Sequence, residues 1–323
     1  MEKIYPEIHY RKLESGIMIT ACYGDDGIVF LPDEIEGIPV TSIAPYAFAQ
    51  SDVSLEDEIW RSREFFSEDE KKSLIAEKIV EVHLPKGIKE IGRYAFYRCR
   101  NLKKLVLSDE ILEIGGGALN GCSLQEVEIH FYNGECSALK SILDEIRFAI
   151  HARLYYDRED GMTETADLLF PEHYEEAVEN TPARILYTSH HGAGGYYRQC
   201  FYDRKLDYKK YDETFSRAIA EESEDTVINL AMGRLLYPFQ LSEQAKDMYR
   251  SYVKEHFQKA VSIYIEKENL DTLVYFKNHG YWTGESLEAG IDCAVRLGKT
   301  EILSVLMDEK YHSFPKKKKT FEL

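Results

Sequence analysis

Apolar residues recur through the first half of the chain at a regular interval. An L-x-x-L-x-L spacing occurs three times, at shifts of 23 and then 22 residues: Ile79-Val82-Leu84, Leu102-Leu105-Leu107 and Leu124-Val127-Ile129. Alternate apolar positions are typical of a strand that buries one face. The spacing therefore predicts three short β-strands.

A second apolar pattern lies between these strands. Its first full copy comprises Ile88, Ile91, Ala95, Phe96 and Cys99. The pattern returns 23 residues later as Ile111, Ile114, Ala118, Leu119 and Cys122. A shorter copy lies 48 residues before the first full copy and comprises Val40, Ile43, Ala47 and Phe48. The longer interval fits one unit plus an insertion over about 53–77.

One such unit cannot bury its apolar face alone, so we expect the units to stack into a solenoid with a parallel sheet. In that stack Phe48, Phe96 and Leu119 should line up in the interior. Cys99 and Cys122 recur at one position, and this indicates a buried ladder rather than two reactive thiols.

These residues resemble a known family. The motifs Leu84-Pro85, Ile91-Gly92, Tyr94-Ala95-Phe96 and Cys99 with the following Leu102 look like the leucine-rich repeat of the bacterial surface antigen (BspA-like) type, and Gly37 to Ile43 resembles its first unit. The resemblance covers about residues 16–129. It implies a short right-handed solenoid used for binding rather than catalysis. Members of this type are often exported adhesins with many more units, and this chain has three or four.

The insertion mixes charged and apolar residues. Leu55, Ile59, Trp60, Phe65 and Phe66 have roughly helical spacing. We predict a helical excursion from the solenoid, which either covers the adjacent unit or docks a partner.

The second half of the chain has mainly helical spacing. The predicted helices lie near 137–152, 164–179, 211–221, 224–236, 242–267, 269–279, 285–297 and 299–310. We expect the first to cap the open end of the solenoid. Residues 268–276 and 298–306 align at a shift of 30 and resemble the outer helices of ankyrin-type helix pairs.

The predicted fold class is therefore α+β, with a short leucine-rich repeat solenoid followed by an all-helical, ankyrin-like domain. The predicted domains are a leucine-rich repeat domain over 1–135, a helical domain over 136–312 and a tail over 313–323. The tail contains the basic run from Lys316 to Lys319.

The composition of the chain limits the kinds of molecule that it is expected to bind. Forty Lys and Arg against 57 Asp and Glu give a net charge of −17, which disfavours nucleic acids and anionic membrane surfaces. The six cysteines are scattered without a C-x-x-C motif, which indicates reduced thiols. The first residues read as neither a secretory signal nor an anchor, and no stretch reaches about 18 apolar residues. We expect a cytoplasmic protein without membrane contact.

Two groups of residues are candidates for binding. The first should face the open side of the predicted sheet: Glu81, His83, Lys104, Val106, Glu126 and Glu128. The second lies in the glycine-rich aromatic segment over 187–202 and comprises Tyr196, Tyr197 and Arg198. Aromatic rings near arginine stack on sugars, peptides or bases, although the same tyrosines also suit a core.

The sequence contains no complete catalytic motif. The glycine-rich segment has Tyr197 where a dinucleotide fingerprint needs its third glycine, and it lacks the Lys-Ser/Thr pair of a P-loop. His190 and His191 would need further ligands to hold a metal. We therefore predict no catalytic residue, no metal and no cofactor. The predicted function is a non-enzymatic interaction module with a protein partner, and the alternative is a carbohydrate or surface-ligand binding protein.

Overall fold

The computed structural model describes residues 5–24, 26–49, 57–62, 78–158, 160–180 and 185–314. The chain divides into two compact units, Met1–Glu221 and Glu222–Leu323. Most of the predicted insertion and the basic tail lie outside the described residues.

The first unit consists mainly of short strands. Its elements are β1 (Glu7–Leu13), β2 (Gly16–Tyr23), β3 (Ile28–Phe30), β4 (Glu34–Ile35), β5 (Ile38–Ile43), β6 (Glu58–Trp60), β7 (Glu81–His83), β8 (Glu90–Ile91), β9 (Lys104–Ser108), β10 (Glu126–Phe131), α1 (Leu139–Glu145), β11 (Ile150–Asp157), β12 (Thr163–Phe170), β13 (Tyr174–Asn180), β14 (Ile185–His191), α2 (Gly194–Tyr197), β15 (Phe201–Tyr202), β16 (Lys205–Leu206), α3 (Tyr208–Glu213) and α4 (Phe215–Glu221).

The main sheet has the strand order β12-β11-β10-β9-β7-β3. Within this sheet β3, β7, β9, β10 and β11 are parallel to one another, and β12 closes the sheet in antiparallel pairing with β11. One row of buried side chains crosses the parallel strands in register: Val29, Val82, Leu105, Val127 and Ala152. The predicted parallel sheet of stacked units is confirmed.

The opposite wall of the solenoid also stacks in register. The rings of Phe48 and Phe96 lie parallel with centroids 4.9 Å apart, and Leu119 is buried in the same core. The thiol of Cys99 donates to the carbonyl of Phe48, at 3.5 Å, and the thiol of Cys122 donates to that of Phe96, at 3.0 Å. The predicted interior stack and cysteine ladder are therefore confirmed.

Helix α1 continues this wall as the predicted cap. The carboxylate of Glu145 accepts hydrogen bonds from the backbone N–H groups of Gly117, at 2.6 Å, and Leu119, at 2.8 Å. These donors lie at the open end of the last repeat, where the chain offers no further strand of the wall.

Three helices predicted in this unit are wrong in part or in whole. The helix over 137–152 ends at Glu145, since β11 pairs in parallel with β10. The helix over 164–179 is replaced by β12 and β13. In β12, Ala166, Leu168 and Phe170 are buried at every second position, which is the period of a strand. Within the insertion, β6 pairs with β1, so this part is not helical.

The second unit consists of helices. They are α5 (Glu224–Leu236), α6 (Glu243–Glu255), α7 (Phe257–Glu266), α8 (Leu270–Asn278), α9 (Gly284–Leu297) and α10 (Thr300–Ser313). The side chains of Ser223, Ser242, Asn269 and Thr283 cap four of them. The helix predicted over 242–267 is two helices that break at His256.

The fold class, a solenoid-like sheet region followed by a helical region, is confirmed. The helical region begins later than predicted, because strands continue to Leu206. The ankyrin-like character of the last helices stays a prediction.

Candidate functional site

The strand register brings the six predicted sheet residues together on one face. Glu81, Lys104 and Glu126 are neighbours in one row across β7, β9 and β10. His83, Val106 and Glu128 form the next row. The prediction that they share a face follows from the alternation of side chains along a strand. Val106 is only 7% exposed, so the polar residues make up the accessible part.

An ion-pair network links these rows. Lys104 Nζ lies 3.3 Å from Glu81 Oε1 and 3.2 Å from Glu128 Oε2. His83 Nε2 lies 2.7 Å from the same oxygen of Glu81, and His130 Nε2 lies 3.0 Å from Glu128 Oε1. Each carboxylate therefore has two side-chain partners, and these ion pairs hold the side chains in position.

The network favours the charged forms of its members. Burial lowers the pKa of Lys104, but the carboxylates of Glu128 and Glu81 offset this effect and hold the pKa above its ordinary value. Burial raises the pKa of Glu128, whereas the hydrogen bond from His130 and the charge of Lys104 bring it below its ordinary value. Both groups are charged at neutral pH.

Strands β11 and β12 extend this face beyond the predicted residues. Asp167 is 4% exposed and lies between His151 Nε2, at 2.7 Å, and Arg153 Nη2, at 2.9 Å. Burial raises the pKa of Asp167, but the hydrogen bonds from His151 and Arg153 outweigh burial and hold the pKa below its ordinary value. The signal in the sequence was the alternation of apolar residues over 150–157, of which only residues 150–152 lay in the helix predicted over 137–152.

Aromatic rings lie among these charges. The ring of Phe30 stacks on His83 with centroids 4.2 Å apart, and Tyr155 stacks on His130 at 4.9 Å. Lys86 Nζ lies 3.5 Å from the ring centroid of Tyr132. Histidine, tyrosine and arginine side chains held by neighbours are well suited to binding because little conformational entropy remains to be lost.

We call this surface the sheet face and define it by its polar and aromatic residues. They are Phe30, Glu81, His83, Lys104, Glu126, Glu128, His130, His151, Arg153, Tyr155 and Asp167. Its carboxylates outnumber its lysine and arginine side chains, so the sheet face is acidic when the histidines are neutral.

The second predicted group separates into one surface residue and two buried ones. Tyr196 is 40% exposed, and the guanidinium of Arg217 lies 3.8 Å from its ring centroid. Tyr197 is fully buried and packs edge-on against Tyr211. Arg198 is 5% exposed, so its predicted role in binding is not supported by its position.

Arg198 holds the first unit together from inside. Its guanidinium donates to backbone carbonyls of Leu143, Ile146, Arg147, Phe148, Pro171 and Gly194. Desolvation lowers the pKa of Arg198 to about 10, so it stays charged at neutral pH. The sequence missed this role because the accepting carbonyls belong to segments more than 20 residues away, apart from that of Gly194.

A polar cleft of about 400 Å³ adjoins Tyr196. Its lining includes Lys140, Asp144, Arg147, His173 and Glu175. His173 Nε2 lies 2.7 Å from Glu175 Oε1, and Arg147 Nη1 lies 3.2 Å from Glu175 Oε2.

Two further findings concern metals and membranes. Within the described parts of the chain, no three His, Cys, Asp or Glu side chains cluster as metal ligands would. Within the same parts, no helix has the length and apolar composition that crossing a bilayer requires. His190, named as a possible ligand, has a side chain outside the described residues.

Comparison with known proteins bears on the repeats. The family model described as "BspA type Leucine rich repeat region (6 copies)" matches residues 70–142. The repeats within residues 70–142 match BspA-type leucine-rich repeats. Among solved structures, this chain is similar to a leucine-rich repeat protein of T. pallidum, with 26% identity, 36% of this chain and 49% of that chain covered, and a TM-score of 0.26. The match thus spans about half of that chain. No curated protein matches the chain.

The match to the repeat family indicates a protein-interaction or surface-repeat module. The matched range includes the three predicted strands and the residues of β7, β9 and β10 on the sheet face.

Proposed function

We propose that this protein is a non-enzymatic interaction module that binds a protein partner through the sheet face. The observation that carries the proposal is the arrangement of paired charges in rows on β7, β9 and β10 and again on β11 and β12. A surface that is already ordered loses little freedom when it binds. Solenoids commonly present such an exposed sheet to their partners.

The partner's chemistry follows from the charge. The sheet face carries more carboxylates than lysine and arginine side chains, and the whole chain has a net charge of −17. A partner surface rich in Lys and Arg is therefore steered towards it by the long-range field. We place the interaction in the bacterial cytoplasm, and the six free cysteines support a reducing compartment.

The test compares two charge reversals. Glu126→Lys changes an exposed residue in the middle of the sheet face, and Glu90→Lys makes the same change on β8, outside this face. Photo-crosslinking from Tyr155 in the full chain identifies the bound protein, which isothermal titration then measures against each variant. We expect Glu126→Lys to weaken binding roughly tenfold and Glu90→Lys to leave it unchanged. Equal affinities for all three proteins, or turnover in a substrate screen without any partner, would contradict the proposal.

One observation favours a second function, carbohydrate or surface-ligand binding. Tyr196 is an exposed aromatic ring at the rim of a polar cleft, an arrangement that suits a sugar ring with its hydroxyl groups. A glycan array provides the test, with Tyr196→Ala as the variant and Tyr202→Ala as the control, because Tyr202 is 84% exposed and outside the cleft. Signals lost only in Tyr196→Ala would support it, and an array without signal would dismiss it.

A further inference from the structure

The turns in the wall of the solenoid carry tyrosine and arginine where the backbone conformation favours glycine. Tyr94 and Arg98 have φ angles of 58° and 60°, in the left-handed region that strains residues with a side chain. The residues 23 positions later, in the next repeat, are Gly117 and Gly121, with φ angles of 71° and 81°. Tyr46, 48 positions before Tyr94, also has a left-handed φ, of 59°. The turn therefore requires this conformation, and the earlier repeats place large polar side chains there despite the strain.

The glycines of the later repeat leave room for these side chains. A Cβ atom on Gly117 would lie 2.4 Å from Cε1 of Tyr94, and one on Gly121 would lie 3.4 Å from Cγ of Arg98. The ring of Tyr94 thus lies over one glycine, and the aliphatic stem of Arg98 lies over the other. Towards the preceding repeat, the ring of Tyr94 stacks on that of Tyr46 with centroids 5.3 Å apart. Both faces of the Tyr94 ring are therefore covered, and a ligand can reach only its edge and its hydroxyl group.

We call this surface the wall patch and define it by Tyr46, Arg93, Tyr94, Tyr97 and Arg98. The backbone N–H of Tyr46 donates to the carbonyl of Arg93, at 3.3 Å, which places the two residues side by side on adjacent repeats. Tyr97 packs edge-on against Tyr94, and the guanidinium of Arg98 lies 5.1 Å from the ring centroid of Tyr97. Tyr46 and both arginines are exposed, and the other two tyrosines are half-buried.

The arginines of the wall patch have no acidic partner. Among the residues that the structure describes, neither Arg93 nor Arg98 forms an ion pair, and the same holds for the exposed Arg100 just beyond the patch. The hydroxyl groups of the three tyrosines likewise have no hydrogen-bond partner among these residues. The wall patch thus presents two guanidinium groups and three hydroxyl donors that are free to bind a ligand.

The neighbouring carboxylates do not neutralise the wall patch. Those described on the adjacent turns and on α1 are Glu90, Glu113, Asp144 and Glu145. Two of them form ion pairs with other cations, and one accepts hydrogen bonds from backbone N–H groups. The fourth, Glu90, is exposed directly beside the exposed Lys89, whose charge balances it. The wall patch is therefore a positively charged surface on a chain with a net charge of −17.

This chemistry selects the kind of ligand. Guanidinium groups bind carboxylates through two parallel N–H donors, and phenol hydroxyl groups donate to the same kind of oxygen. Sugars and bases bind aromatic residues by stacking, and the covered faces of Tyr94 offer no place for this. A long polyanion such as a nucleic acid is repelled by the charge of the whole chain, whereas a short acidic segment carries few charges.

We propose that the wall patch binds a short acidic segment of a partner protein. Aspartate or glutamate side chains of the segment pair with Arg93 and Arg98, and the tyrosine hydroxyl groups donate to its carboxylate and carbonyl oxygens. Tyrosine and arginine are also the residue types that contribute most to protein interfaces. The wall patch shares no residue with the sheet face, and its opposite charge selects a different class of partner, so it does not depend on the proposed function.

The probe is a fluorescent synthetic peptide of alternating glutamate and serine, with a second peptide that carries glutamine in place of glutamate. Fluorescence anisotropy measures the binding of each peptide to the full chain. We expect the acidic peptide to bind and the neutral peptide to fail. Arg93→Gln and Arg98→Gln should each weaken the binding of the acidic peptide roughly tenfold, since each removes a charge-assisted contact. Tyr46→Phe removes only a hydroxyl group and should weaken it roughly threefold.

The matched control is Arg296→Gln in α9. Arg296 is exposed and, like the arginines of the wall patch, forms no ion pair in the described ranges of the chain. Its substitution removes the same charge from the second unit and should leave binding unchanged, which separates docking on the wall patch from a change in net charge. Circular dichroism verifies that all variants keep the fold.

Three outcomes would overturn the proposal. The first is equal binding by the two arginine variants of the wall patch and the Arg296→Gln control. The second is no binding of the acidic peptide to the unmodified chain. The third is tighter binding of a single-stranded oligonucleotide than of the acidic peptide, weakened by Arg93→Gln, which would assign the wall patch to nucleic acid instead.

A further outcome concerns the chain itself. The insertion between the first two repeats contains the acidic run Glu68-Asp69-Glu70. Binding of the acidic peptide only after this run is changed to Gln-Asn-Gln would mean that the chain's own segment occupies the wall patch, and this would overturn the assignment to a partner protein. Equal binding with and without the change would support that assignment.

Discussion

At the scale of single residues, one buried arginine carries much of the tertiary order of the first unit. Arg198 donates to carbonyls at the end of α1, in the following loop and after β12. Those carbonyls would be left unsatisfied in its absence, and each buried unsatisfied group costs about 1–3 kcal/mol.

We therefore expect Arg198→Met to lower the free energy of unfolding by about 3 kcal/mol or more. Urea unfolding monitored by Trp60 measures this effect in a Trp282→Phe background, since the chain has only two tryptophans. Arg217→Met is the control, because the side chain of Arg217 is 45% exposed. Similar losses in both variants would refute the structural role of Arg198.

Asp167 provides a test that depends on pH. Its pKa in the folded protein is held below the ordinary value of about 4, so its charged form stabilises the fold above that pH. The stabilisation disappears as the pH falls through the folded-state pKa. We expect Asp167→Asn to cost about 1–2 kcal/mol at a pH of about 5, and the difference from the unmodified protein to shrink at a pH of about 3. Urea unfolding at both pH values measures it. A difference that stays constant would exclude the ionised carboxylate as its source.

At the scale of elements, the turns of successive repeats lie so close that some positions require glycine. A Cβ atom on Gly115 would lie 2.5 Å from the backbone nitrogen of Arg93 and 2.6 Å from the carbonyl carbon of Gly92. A Cβ atom on the neighbouring Gly116 would meet no atom within 4 Å. These two adjacent glycines therefore form a matched pair.

We expect Gly115→Ala to destabilise the solenoid by about 2 kcal/mol or more, since backbone must shift to make room. Gly116→Ala should be neutral or stabilising by up to about 1 kcal/mol, through the lower entropy of the unfolded chain. Thermal unfolding by circular dichroism distinguishes the two variants. Equal midpoints would show that the repeats are not packed as closely as the structure has them.

Some of these elements were predictable from the sequence pattern, and others were not. The strands of the repeats were predictable because the same spacing recurs three times, and the wall residues Phe48 and Phe96 were predictable for the same reason. Strand β11 occurs once and its apolar residues, including Ile150, follow directly on those of α1. A short apolar run of this kind fits a helix or a strand, and only the pairing with β10 decides between them.

At the scale of the whole molecule, each compact unit has its own aromatic core. In the second unit the ring of Phe257 lies 4.9 Å from that of Phe276 and 5.2 Å from that of Trp282, centroid to centroid. The first unit has the stacked Phe48 and Phe96. A unit with its own core is able to fold without the rest of the chain.

We therefore expect residues 222–323, produced as a separate chain, to fold and unfold cooperatively. Circular dichroism should show helical structure, and the fluorescence of Trp282 should follow the same unfolding transition. A matched fragment that begins at residue 136, the predicted domain boundary, removes β10 from beside β11 and should expose that strand and aggregate. Stable folding of that fragment would support the predicted boundary at residue 136 instead.

The candidate binding surface was predictable only in part. Glu81, His83, Lys104, Glu126 and Glu128 follow from the repeat, because the position of a residue within the unit fixes the face to which its side chain points. The rest of the sheet face lies on β11 and β12, where Arg153 and Asp167 are neighbours across an antiparallel strand pair.

The sequence by itself determined what depends on local periodicity: the stacked units, their interior cysteines, and most helices of the second unit. The tertiary structure alone decided what depends on contacts between distant segments. These are the extension of the sheet into β11 and β12, the burial of Arg198 among six carbonyls, and the closing of the solenoid wall by Glu145. The physical reason is that repetition multiplies a weak local signal, whereas a contact made once leaves no pattern along the chain.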